Sequence, residues 1–172
     1  SALGWLSVAE ATGDTSYVAE YERALERALQ THERFFDHEP DPQRVMDRLH
    51  AYGYFLEAIL PRAGRPEVRQ ALSEGITRAA GHLRRVRGGF ERSDVNGQIL
   101  RVRLWADGLG AVPLDSTSAE EEAAWAGAYQ MESADARLDG GFNFGQRGGA
   151  PTDYSNPVST AFCLQGLALW DD

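Results

Sequence analysis

Three stretches of this chain repeat one pattern: an apolar helical segment that closes on a polar residue followed by a small one. They are HAYGYFLEAIL from His50, LRVRLWADGLG from Leu100 and STAFCLQGLAL from Ser159. Superposed on that closing step, Glu57, Asp107 and Gln165 fall in one register, followed by Ala58, Gly108 and Gly166. Helices this apolar must be enclosed on most sides, the small residue permits close helix approach, and the polar one has a constant place to point. LGWLSVAEATG from Leu3 is a fourth, looser copy that ends in Gly13-Asp14, as helices often do.

Between the copies run helices with a polar face and a single apolar stripe. Tyr17 to Phe36 carries Val18, Tyr21, Leu25, Ala28 and Leu29 among charges, and Pro66 to Val86 opens on proline and carries Val68, Leu72, Ile76 and Leu83. Ser118 to Met131 opens on serine, with Glu120 to Glu122 at its positive dipole end. The pattern predicts an all-α chain of seven helices, apolar and amphipathic in strict alternation, paired as repeated antiparallel hairpins. Two helix classes in alternation imply an inner ring wrapped by an outer one, about half of an α/α toroid; a solenoid or bundle is the competing arrangement.

Residues 1–172 read as one domain, with no linker-like stretch. An apolar helix begins almost at Ser1 and another stops at Trp170, without a capping element at either end. The expectation is a fragment of a longer chain, whose open half ring is covered by the missing remainder or by a second copy in a homo-oligomer.

A formal charge of -9 and a pI near 4.9 set nucleic acid aside as a partner, because phosphate recognition needs a cationic surface. No apolar run is long enough for a membrane span and no signal peptide is recognisable. One cysteine, Cys163, rules out an internal disulfide and fits a reducing, cytoplasmic setting. All 17 basic residues are arginine, a bias with no functional reading.

Two loops lead into apolar helices from a shared start, GGFERSD from Gly88 and DGGFNFGQRGGAPTDYSNP from Asp139. Paired glycines allow positive φ and close approach of backbone, and the phenylalanine after them can plug the space between helices. Neither loop has the Lys-Ser/Thr of a P-loop or the strand context of a dinucleotide fold.

The unit DGGF, a variable loop, then STAFCLQGLALW resembles the repeat of squalene cyclases and of protein prenyltransferase beta subunits. The resemblance is clear over Asp139 to Trp170 and fainter over Gly88 to Leu109. It implies an α/α toroid. It does not carry over those families' activity: the prenyltransferase zinc positions correspond to Ile99, Arg101 and Ser159, which cannot hold zinc, and the acidic DxDD of the cyclases is absent. No metal and no cofactor is expected. LGWLSVAEATGD is also similar to helices of six-hairpin glycosidases and N-acylglucosamine 2-epimerases, which share the toroid.

In such an architecture a small-molecule ligand would sit at the mouth formed by the inner-helix starts and their loops. That predicts Asp47, His50 and Tyr54 from the first complete hairpin and Glu91, Asp94, Arg101, Arg103 and Trp105 from the second. Asp153, Tyr154, Asn156 and Ser159 come from the third. Carboxylates, arginines and aromatics together suit a hydroxyl-rich or anionic ligand better than an isoprenoid.

His50, Glu57 and Asp107 are the catalytic candidates, each with a structural alternative as core histidine or helix-end partner. Arg101 and Arg103, two apart on a helix, cannot both face one cavity, so one is expected to pair with the outer layer. Asp139 is expected to brace its loop and Cys163 to be a buried apolar residue. The leading functional expectation is binding or processing of a carbohydrate-type ligand. The alternatives are an isoprenoid cyclase-like or prenyltransferase-like protein without zinc, and a noncatalytic helical-repeat binding module.

Overall fold

The computed structural model describes residues 2–172 and contains seven α-helices. They are α1 (Ala2–Thr12), α2 (Ser16–Thr31), α3 (Pro42–Ile59), α4 (Pro66–Val86), α5 (Ser93–Gly108), α6 (Ser116–Gly127) and α7 (Pro157–Asp171). Their starts follow local chemistry. Asp41 accepts a hydrogen bond from Gln43 N at 2.9 Å ahead of Pro42, and Asn156 accepts from Ser159 N at 2.7 Å ahead of Pro157. Where serine was expected to cap the sixth helix, Asp115 does so instead, accepting from Ser118 N at 3.2 Å and Ser118 Oγ at 2.6 Å. The second helix is shorter than its periodicity predicts, giving way to a 3-10 turn at His32–Arg34.

Helices pack as hairpins α1/α2, α3/α4 and α5/α6, with α3, α5 and α7 side by side. Helix α5 is the hub, in contact with α3, α4, α6 and α7 and buried along most of its length. Its approach to α7 is set by two glycines. A Cβ on Gly97 would lie 2.7 Å from Phe162 O, and one on Gly166 would lie 2.6 Å from Gly97 O. Gly166 thus fulfils the expectation of a small residue at a helix crossing, whereas a Cβ on Gly108 would meet nothing within 4 Å among the described residues. The main core joins Leu49, Tyr52 and Leu56 of α3 to Val68, Leu72 and Ile76 of α4 and Val95, Ile99 and Val102 of α5.

The two glycine loops do more than connect. They pair as a three-stranded antiparallel sheet that the helical pattern did not foreshadow: β1 (Phe90–Arg92), β2 (Gly145–Arg147) and β3 (Ala150–Pro151). Phe90 stands opposite Arg147, and Gly145 has no room for a side chain, since its Cβ would fall 1.9 Å from Glu91 O. Phe90 and Phe142, which follow the paired glycines, are both buried, so the plug expected of them is present.

Candidate functional site

The sheet and the first turns of α3 form a recess of about 580 Å³ at the loop end of the helices. Its base is an aromatic pair, Tyr154 stacked on Phe144 with centroids 5.0 Å apart and rings within 19° of parallel. Tyr154 is exposed, which leaves ring surface open to a ligand. Around it stand Gln43 and Asp47 of α3, Arg147 of β2 and Asp153 of the last loop. Arg147 lies over the Phe90 ring at 4.9 Å. Among the described residues, neither Asp153 nor Arg147 is held in an ion pair, so both keep polar capacity for a ligand.

From this recess a polar chain runs inward along α3 and α5. Arg92 donates to Asp47 at 3.1 Å and grips both oxygens of Asp94 at 3.1 and 2.7 Å, and Asp94 lies 3.9 Å from His50 Nδ1. Arg92 also lies over Phe144, at 5.1 Å, so it links the aromatic pair to the carboxylates. Burial holds the His50 imidazole below its ordinary pKa, against the opposing pull of Asp94, and favours the neutral ring.

Deeper along the same helices Arg101 gathers much of the predicted set. It donates to Glu57 of α3 and to Gln165 of α7, and lies between the faces of Trp105 and Phe162, at 4.7 and 4.5 Å. His50 and Tyr54 meet edge to face at 4.9 Å and both approach Phe162. Two of the three register-equivalent residues, Glu57 and Gln165, therefore converge on one guanidinium. Gln98 fills the seam between α3 and α5 in space that Gly53 leaves open.

The remaining predicted residues lie apart from both clusters. Asp107 accepts from Leu114 N at 2.9 Å and braces the turn between α5 and α6. Arg103 turns to α6, where its buried pair with Glu122 is the contact expected between the layers. Asn156 caps α7, and Ser159 is wholly enclosed behind it with no partner for its hydroxyl among the described residues. Buried Glu91 ties the loops together through Arg87, Gly88 N and Gln146. Asp139 accepts from Ser133 N at 3.0 Å. Burial pushes the Cys163 thiol up to about 12, which makes it inert as a nucleophile.

Among the described residues no three His, Cys, Asp or Glu side chains come together as a metal site requires, and no helix is long and apolar enough to cross a membrane. Comparison with family models, curated proteins and solved structures gives no match in any of the three.

Sequence reasoning missed Arg92, Phe144 and Arg147, which complete the loop-end recess. A partial signal was present in the second loop alone: Phe142-Asn143-Phe144 alternates large apolar and polar residues with the period of a strand, whereas Phe90-Glu91-Arg92 does not.

Proposed function

We propose that this chain is a ligand-binding domain of helical hairpins, part of an α/α toroid, that takes a hydroxyl-rich, carbohydrate-type ligand in the loop-end recess. The observation that carries this reading is the exposed ring of Tyr154, backed by Phe144 and surrounded by Asp47, Asp153, Arg147 and Gln43. A sugar offers C–H faces to an aromatic ring and hydroxyls to carboxylates, amides and guanidinium groups at its edge, and this recess supplies both surfaces.

Binding is favoured over acid–base turnover. Glu57 is engaged by Arg101, Asp107 holds a turn, and among the described residues the carboxylate nearest His50, that of Asp94, stands 3.9 Å from Nδ1, beyond hydrogen-bond distance. One observation supports a second reading. A groove of about 640 Å³ between α1, α2 and α3 is lined by Tyr21, Leu25, Phe55 and Ile59 with alanines between them, which would suit an isoprenoid tail.

Soaking crystals with a panel of saccharides and prenyl diphosphates separates these readings. Saccharide density over Tyr154 is the expected result. A prenyl chain in the α1–α3 groove would replace the proposal with the second reading. Empty recesses with both classes would leave a noncatalytic repeat that recognises a macromolecule.

A further inference from the structure

Across the sheet from Arg147, Gln146 faces a second and smaller recess of about 330 Å³. Its apolar wall is formed by the half-buried Trp125 of α6 and Tyr129 just beyond that helix, with Met131 and Pro151 at the rim. Arg87 lies over the Trp125 ring at 4.5 Å.

The charge of this recess is balanced. Among the described residues Arg87 is the one ionised side chain that lines it, and Arg87 is paired with Glu91, a carboxylate 1% exposed behind the wall. Glu91 also accepts from Gly88 N at 2.7 Å and from Gln146 Nε2 at 2.6 Å, and the Tyr129 hydroxyl donates to it at 3.4 Å. It cannot leave Arg87 without stranding a buried charge. Besides the Tyr129 hydroxyl, the other polar side chains of the lining are the amides of Gln130, Asn143 and Gln146. Gln146 gives its nitrogen to Glu91, which fixes its Oε1 in direction as an acceptor, and Gln130 stands exposed at the rim.

We propose that this recess binds a single neutral sugar ring, at a site separate from the loop-end recess and independent of the reading given for it. The volume is near the lower end of the range for ligand cavities, about 300–1,000 Å³, and suits one ring rather than an extended chain. The indole and phenol surfaces take the C–H face of the ring, while the Gln130 amide and Gln146 Oε1 take its hydroxyls. Neutrality follows from the electrostatics: an anion would compete with Glu91 for Arg87, and a cation would find no open carboxylate.

The test is a titration of the whole chain by two-dimensional NMR with methyl pyranosides, hexuronates and hexose phosphates. The Trp125 indole N–H, assigned through Trp125→Phe, reports this recess, and the Tyr154 ring protons report the loop-end recess, so each site succeeds or fails separately. A neutral pyranoside should displace the Trp125 signal, with charged sugars binding about ten-fold more weakly or less well still. Gln146→Ala, and Gln130→Ala at the exposed rim, should each weaken binding about five-fold, with an unchanged melting temperature for Gln130→Ala. The proposal is overturned if no neutral ring moves the Trp125 signal, if charged and neutral rings bind alike, or if both glutamine variants bind as the parent does.

Discussion

Arg103 holds both carboxylate oxygens of Glu122, Nε at 2.9 Å and Nη2 at 2.7 Å, and both side chains are buried where α5 meets α6. A bidentate pair of this kind adds little stability compared with apolar packing of the same shape, yet breaking it is costly, because the surviving charge stays buried. Glu122→Ala should therefore lose about 3–5 kcal/mol in urea unfolding, whereas Arg103→Met combined with Glu122→Leu should recover most of that loss. Equal destabilisation by the single and double changes would refute the assignment.

The α5–α7 crossing makes a second prediction, about glycine. Gly97→Ala forces a methyl against Phe162 O and Cys163 Cα, at 2.7 and 2.8 Å, and these are backbone atoms that cannot swing aside. A loss of about 1–3 kcal/mol is expected. Gly81, in α4 with nothing within 4 Å of its added Cβ, is the control: Gly81→Ala should gain about 0.5–1 kcal/mol from helix propensity. Thermal melts of the two variants should move in opposite directions.

These two cases mark what could be read in the sequence. Apolar periodicity gave the seven helices, and Pro66–Val86 appears with the bounds its sequence implies. Spacing also separated Arg101 from Arg103 correctly, because residues two apart on a helix diverge. The small sheet was illegible to a helical period: its strands are three residues or fewer, and their pairing joins Phe90 to Arg147 across a long stretch of intervening chain. For the same reason the predicted site held Asp47, Asp153 and Tyr154 but not Phe144 and Arg147 beside them. Side-chain partners such as Leu114 N for Asp107 depend on turn geometry, which the repeat register does not encode.

A third prediction concerns acid. The Tyr52 hydroxyl accepts from Arg78 Nη1 at 3.1 Å, so its own proton is directed to His32 Nδ1 at 3.0 Å, which requires a neutral His32. Burial lowers the pKa of His32, and likewise of His50 and His82, below the ordinary value of 6.5. For a depressed histidine the unfolded chain binds the proton more readily. Stability from these groups is thus fully present above about pH 6.5 and declines as pH falls below it toward the folded-state values. Unfolding free energies measured between neutral pH and pH 5 should show that decline, with a smaller slope in His32→Gln; a flat profile would contradict it.

The most direct measurement for the central claim is calorimetric titration of the parent chain, Tyr154→Ala and Asp153→Asn with whichever saccharide the soaks identify. Tyr154 and Asp153 are both exposed, so these changes leave the core intact. If the loop-end recess is the binding site, Tyr154→Ala weakens affinity about ten-fold or more and Asp153→Asn does so by a smaller factor, with unchanged melting temperatures. Undiminished affinity in both variants would place the ligand elsewhere and contradict the account.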